Sequence, residues 1–512
     1  MVIQRTVIQK MGKQIISPIL LALGLMSSSV WAQNAAAVIA EAARTMGVEG
    51  LDSITYYGAG TSFALGQTAS VNGLPPPRSN LSDYRRTLDF VQPAATTSAY
   101  TFAAPVTGGP ARLGVFNELA NAGSANNWAL QMEVWLSPWG FLKGAATHNA
   151  TVETQTANNR TLQVVSWESA LKSPAGVAYK LVGYINDQQL VERVETWLEN
   201  PIYGDMLVQA NYTQYRRNHE GLMYPGMVIE SRGGNALYPI QIFGAQGNPP
   251  QLAQYLQPIQ LPDSTAAPAT ASAAPAPAAP QAPPQAPPPA KAEQLAEGVY
   301  RITGGYVAVA VEFSDHILLF EAAGQNETRA QAVMAEAKRV IPNKPIRYAV
   351  LSHHHFDHTS GLSAVVAEGA TIVAHEMDKE FFERALGAPR TLKPDAISVS
   401  GKTALIEGVG EKRVFADAMH TAELYHIQGL PHAEDMLVMY LPKEKIVVYA
   451  DMYNVPAANN PVPNPPVVGT VVMMDNLARL QLDFDTLVSV HAPNPDMPIT
   501  KASVLASLGR SE

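Results

Sequence analysis

The stretch Ile346-Arg347-Tyr348-Ala349-Val350-Leu351-Ser352-His353-His354-His355-Phe356-Asp357-His358-Thr359-Ser360-Gly361 runs from an apolar segment straight into a histidine cluster. The first seven residues predict a buried strand. Residues two apart share a face of an extended chain, so His353 and His355 can meet one metal ion. Asp357 and His358 fall where the chain turns and can reach a second. His354, between them, is expected to point away and to serve behind the ligands or at the surface.

The rest of the chain supports a metal reading. Ten of the twelve histidines lie after residue 294, and there is no cysteine. That removes disulfides, thiolate zinc sites, iron–sulfur clusters and thiol nucleophiles, and leaves imidazole and carboxylate as donors. The 512 residues carry 47% hydrophobic and 15% charged side chains, a globular balance, and a net charge of −9. With no basic footprint, nucleic acid is not an expected partner.

Residues 1–32 have the form of a secretory signal peptide. Arg5, Lys10 and Lys13 precede an apolar run from Ile15 to Leu25, and Val30-Trp31-Ala32 offers small residues for cleavage. The run is short for a membrane anchor, and no later segment has 18 uninterrupted apolar residues. The expectation is a periplasmic or secreted protein without stable membrane insertion after signal cleavage. In residues 263–292, 22 of 30 are Ala or Pro, which predicts an extended interdomain linker of up to roughly 90 Å at ~3.1 Å per residue.

Residues 33–262 begin with an Ala-rich helix around Ala35 to Met46. Alternating runs follow, such as "SITYYGAGTSFALG", "WALQMEVWL", "TLQVVSW" and "MLVQANYTQY", broken by turn residues. They predict a largely antiparallel β-meander domain with one helix. In architecture this part loosely resembles lipoprotein-carrier-like half-barrels, which implies an apolar ligand. Residues 293–512 alternate strands with helices, including a helix from Glu327 to Val340 and a strand "TLVSV" ending at His491, and so predict an α/β domain with its ligands at strand ends.

The H-x-H-x-D-H spacing resembles the signature of the metallo-β-lactamase superfamily. The resemblance runs from about Ala292 to the end and implies an αββα sandwich. It further implies His432 of "LPHAEDMLVMY" as third ligand, Asp451 as a metal-bridging carboxylate and His491 as last ligand. His353, His355 and His432 would hold one ion, with Asp357, His358 and His491 on the other. Glu321 stands where the family usually has an aspartate, so it is expected to orient the ligand loop from behind. His420 and His426 compete with His432 for third ligand, and His375 is expected to be structural.

The implied activity is that of a dinuclear zinc hydrolase, with manganese or iron able to share the donor set. A metal-bridging hydroxide would attack an ester, lactone, thioester or amide of a small substrate, with Asp357 and Asp451 as the catalytic carboxylates. The bridging aspartate favours ester-type substrates over β-lactams. Three other readings remain open: a β-lactam hydrolase, a mononuclear iron sulfur dioxygenase, and an envelope carrier whose metal domain is vestigial. The sequence carries no signal for oligomeric state.

Overall fold

The computed structural model describes residues 35–71, 78–103, 112–120, 127–157, 160–261, 289–455, 466–491 and 498–510. The expected signal peptide and residues 263–288 of the expected linker lie outside them.

Residues 35–46 form the expected N-terminal helix. The strands that follow are β1 (Ser53–Phe63), β2 (Arg78–Asp89), β3 (Ala94–Ala103), β4 (Arg112–Ala120), β5 (Thr151–Ala157), β6 (Arg160–Lys172), β7 (Ala178–Ile185), β8 (Val191–Asn200), β9 (Gly204–Thr213), the short β10 (Arg216–Arg217) and β11 (Met223–Tyr224), β12 (Met227–Arg232) and β13 (Asn235–Gly247). Eleven of them make one antiparallel sheet in the order β4-β3-β2-β1-β13-β12-β9-β8-β7-β6-β5, while β10 and β11 pair as a separate hairpin. Period-two burial in β9, where every second residue from Gly204 to Tyr212 is buried, is the pattern of a sheet with one face on a core.

One run expected as a strand is helical. "WALQMEVWL" forms a helix over Trp128–Trp135, and a second helix follows over Pro138–Thr147. A short apolar run reads equally well as either element. The deciding signal lies just beyond it: Ser137 accepts a hydrogen bond from the Gly140 amide at 3.0 Å, and Pro138 opens the second helix. Trp128, Met132, Trp139 and Phe141 from these helices share one core with Ile39 and Met46 of the first helix. That core is not purely apolar. Arg86 and Arg232 both pair with Glu133, Arg232 also pairs with Glu230 at 2.8 Å, and Tyr238 donates to Glu118 at 3.1 Å.

The C-terminal part contains two sheets. The first runs in chain order through β14 (Lys291–Ala296), β15 (Val299–Thr303), β16 (Ala308–Glu312), β17 (Ile317–Phe320), β18 (Ile346–Val350), β19 (Thr371–His375) and β20 (Ile406–Val409), and is parallel from β17 onward. Lys291 and Ala292, the last residues of the expected linker, already belong to β14. The second sheet runs through β21 (Lys412–Ala416), β22 (Thr421–His426), β23 (Leu437–Leu441), β24 (Ile446–Tyr449), β25 (Thr486–Ser489) and β26 (Ile499–Thr500), with β24 and β25 parallel.

Val309, Leu318, Phe320 and Val350 of the first sheet meet Leu424, Val438, Val448 and Val488 of the second in one core. The helix Glu327–Val340 covers the outer face of the first sheet through Ala330, Val333 and Ala337. Met473 and Leu477, from the helix Val468–Arg479, join the inter-sheet core. The result is the αββα sandwich, in which β17, β23 and β24 are buried along their whole length because both of their faces are covered.

Candidate metal centre

The C-terminal ends of four parallel strands build the site: Glu321 follows β17, the histidine motif follows β18, Asp451 follows β24 and His491 follows β25. Ligands of parallel sheets collect at such ends. Glu321 and Asp451 both take left-handed backbone conformations, φ 65° and 56°. That conformation is uncommon outside glycine, and such strain gathers at functional sites.

The seven residues expected as ligands come together. Ligand-capable atoms lie within 4.8 Å of one another in three groups: His353, His355 and His432; His353, His358 and Asp451; and Asp357, His358 and His491. Asp451 sits at the centre. Its Oδ1 lies 2.9 Å from His491 Nε2, and its Oδ2 lies 2.9 Å from His358, 3.7 Å from His353 and 3.9 Å from His432. His353 Nε2 and His432 Nε2 are buried and lack hydrogen-bond partners. Buried polar atoms normally have partners, so two orphaned imidazole nitrogens beside the Asp451 carboxylate fit a cation between them.

Electrostatics agree with this donor set. Burial, then the neighbouring imidazoles, pushes His353 well below its ordinary range. Burial together with His354 and His432 takes His355 down to about 4, and burial also lowers His432. These three are neutral at ordinary pH, the form that binds metal. His358 differs: burial opposes its charge, but Glu321, Asp357 and Asp451 raise it well above the usual value. For Asp451, burial is outweighed by His358 and His491, and the carboxylate stays ionised.

Glu321 lies behind the cluster. It is buried, accepts from His358 Nδ1 at 2.9 Å and from the Ser352 amide at 3.2 Å, and so leaves His358 Nε2 facing the cluster. His354 stands outside the three groups and faces the interior. Its Nδ1 and its amide both donate to Asp435, at 2.9 and 2.7 Å. Beside Asp435, Asp378 is pushed well above the carboxylate range by burial and by Asp435.

The competitors for third ligand lie elsewhere. His420 is buried against Glu444 at 3.3 Å, and His426 donates to the Glu434 carbonyl at 2.7 Å. His375 accepts from the Met377 amide at 3.4 Å and caps a turn of 3-10 helix, a structural role.

Sequence reasoning missed Tyr306, Gln67 and Thr68. The Tyr306 hydroxyl donates to Asp357 Oδ2 at 2.8 Å, and its ring packs 4.3 Å from that of His491. Gln67 donates to Asp357 Oδ1 at 2.7 Å, and the Thr68 carbonyl accepts from His355 Nε2 at 2.8 Å. None of the three belongs to a motif, and Gln67 and Thr68 come from the other half of the chain.

Residues 303–467 match the family model described as the metallo-beta-lactamase superfamily. The C-terminal domain belongs to that superfamily. The match takes in every expected ligand except His491. Among solved structures, the domain is similar to the metallo-β-lactamase of Erythrobacter litoralis with β-mercaptoethanol in its active site, at 19% identity over 43% of this chain and 95% of that one, TM-score 0.31. It is also similar to the metallo-β-lactamase of Pontibacter korlensis, at 17% identity over 43% of this chain and 97% of that one, TM-score 0.32. A comparison with curated protein sequences returned no match. The metallo-β-lactamase domain thus accounts for the cluster at its strand ends, and the N-terminal sheet stands outside the matched residues.

Proposed function

We propose that this protein is an exported, metal-dependent hydrolase that holds two divalent ions, with zinc the expected metal, and cleaves an ester, lactone or thioester bond in a small substrate. The observation that carries the reading is Asp451, set among His353, His358, His432 and His491, with the buried Nε2 atoms of His353 and His432 left unpartnered beside it. Ions held there would polarise a substrate carbonyl and lower the pKa of a bound water.

The chain's own residues would supply the rest. Glu321 fixes His358, and Thr68 fixes His355, so the imidazoles are oriented before any ion arrives. Asp357 is the more open of the two carboxylates, with its side chain 39% exposed against 17% for Asp451. Tyr306 and Gln67 hold it at the rim, where it can take a proton and pass it to a leaving group. The central Asp451 favours ester-type substrates, in keeping with the resemblance that suggested it. Export rests on the basic and apolar leader of residues 1–32.

The test is to purify the chain without its leader, count bound metals, and assay lactones, thioesters, aryl esters and β-lactams. Two zinc ions per chain and esterase or lactonase activity abolished by His355→Ala are expected. Fewer than one transition metal per chain, together with no activity lost in His355→Ala, overturns the reading.

A further inference from the structure

The segment Gly66–Ala69, just past β1 of the N-terminal sheet, lies against the histidine motif some 290 residues away. Four backbone or side-chain contacts run along it, besides the Gln67 bond to Asp357. Gly66 accepts from the Phe356 amide at 3.1 Å, and Ala69 accepts from the Glu434 amide at 2.7 Å. The Thr68 carbonyl accepts from His355 Nε2, and the Thr68 hydroxyl sits 2.8 Å from His354 Nε2. Gly66 has φ +73°, and a Cβ there would meet the Phe356 ring at 2.2 Å, so the segment approaches this closely only with glycine.

A second clamp holds the two halves together. Arg390, buried, donates to the carbonyls of Pro201 at 3.0 Å and Ile202 at 2.9 Å. Asp205 accepts from the Thr391 and Leu392 amides, each at 2.9 Å. Ile202 is fully buried in the core of the metallo-β-lactamase domain, while Leu392 is buried in the core of the N-terminal sheet. Each half thus plugs a side chain into the other.

We propose that Gly66–Ala69 is a working part of the metal centre, with Thr68 and Gln67 as positioning residues for His355 and Asp357, so that full metal affinity requires the N-terminal sheet to be docked. The inference rests on the metal-dependent reading above. A ligating imidazole is oriented by the group to which its other nitrogen donates. With Nε2 given to Thr68, Nδ1 is the nitrogen of His355 left for an ion. The orphaned nitrogens of His353 and His432 make no bond to the segment. It therefore braces the ligands from behind and does not plug their open side.

The test uses the full chain, stripped of metal and titrated with cobalt(II) against a chromophoric chelator. The variants are Gly66→Ala, which drives a methyl into Phe356; Gln67→Met, which keeps shape and loses the bond; and Asp205→Ala, which loosens the distant clamp. Gly66→Ala is expected to weaken cobalt binding about 10–100-fold and to alter the visible spectrum of the bound ion, the size seen when a ligand loses its supporting partner. Gln67→Met and Asp205→Ala should weaken it in the same direction, with the unfolding midpoint of Gln67→Met close to the parent's and both variants folded at the assay temperature. If Gly66→Ala fails to fold, the other two variants carry the test. Parental affinity and spectrum in the folded variants overturn the proposal, as does tighter binding or faster turnover, which would mark the segment as a plug. A parent chain that takes up no metal overturns the metal reading and this inference together, whereas parental uptake with unchanged variants overturns this inference alone.

Discussion

At the scale of single residues, the site separates groups that face one point from groups that aim them. Glu321 belongs to the second kind, since it accepts from His358 Nδ1 and from the Ser352 amide. Glu321→Ala should weaken metal binding about 10–100-fold while every ligand atom remains, a loss that chelator competition would register. The competing histidines give a sharper contrast. His432→Ala should lower the number of metals bound, while His420→Ala should leave it unchanged and cost about 1–3 kcal/mol in chemical denaturation, because Glu444 loses its buried partner. Equal metal loss in the two variants would reassign the third ligand. Glu321 was legible in sequence because it follows an apolar strand at a position the resemblance marks. Tyr306, Gln67 and Thr68 were not, because a lone tyrosine or a short polar segment carries no spacing that ties it to a distant imidazole.

At the scale of elements, strand ends do most of the placing. The continuous apolar runs of β17, β23 and β24, and the mostly apolar β18, were readable as strands, and the ends of β17, β18 and β24 put Glu321, the motif and Asp451 on one rim. The helix Trp128–Trp135 was misread because its face is apolar nearly all round, and only Ser137 and Pro138 beyond it mark the change of element. That helix also brings Glu133 to Arg86 and Arg232 in the N-terminal core. Burial, then Glu133, raises Glu118 from its usual value to about 7, against the pull of Arg232. Its proton is therefore held in the folded state and released more readily on unfolding. The stability this contributes is fully present below about 4.5, declines as pH rises, and is lost once pH passes about 7. Thermal unfolding between pH 4.5 and 8 should show that decline, and Glu118→Gln should flatten it. An unchanged slope in the variant would remove Glu118 as its source.

At the scale of the whole molecule, the Ala/Pro-rich segment joins two parts that touch directly. Ile202 and Leu392 are exchanged between cores, and Arg390 and Asp205 close the seam around them. Leu392→Ala should cost about 2–5 kcal/mol, the usual range for emptying a buried leucine site. Although Leu392 lies in the metallo-β-lactamase half, the cost should appear in the tryptophan signal, because every tryptophan past the leader lies between residues 128 and 197. Urea unfolding followed by tryptophan fluorescence and by far-ultraviolet circular dichroism checks this. An unshifted fluorescence midpoint would mean that the halves are energetically separate.

By itself the sequence determined the donor chemistry, the two sheet-rich halves and the histidine motif at the end of a strand. Those features are local: a spacing of two along a strand, a run of apolar residues, a count of cysteines. Tertiary structure alone decided which histidine of three completes the first group, which groups brace Asp357 and His355, and that the N-terminal sheet reaches the site. The reason is physical. Hydrogen bonds between residues some 290 positions apart form only when two independently patterned surfaces meet, and neither surface carries in its own periodicity a record of the other.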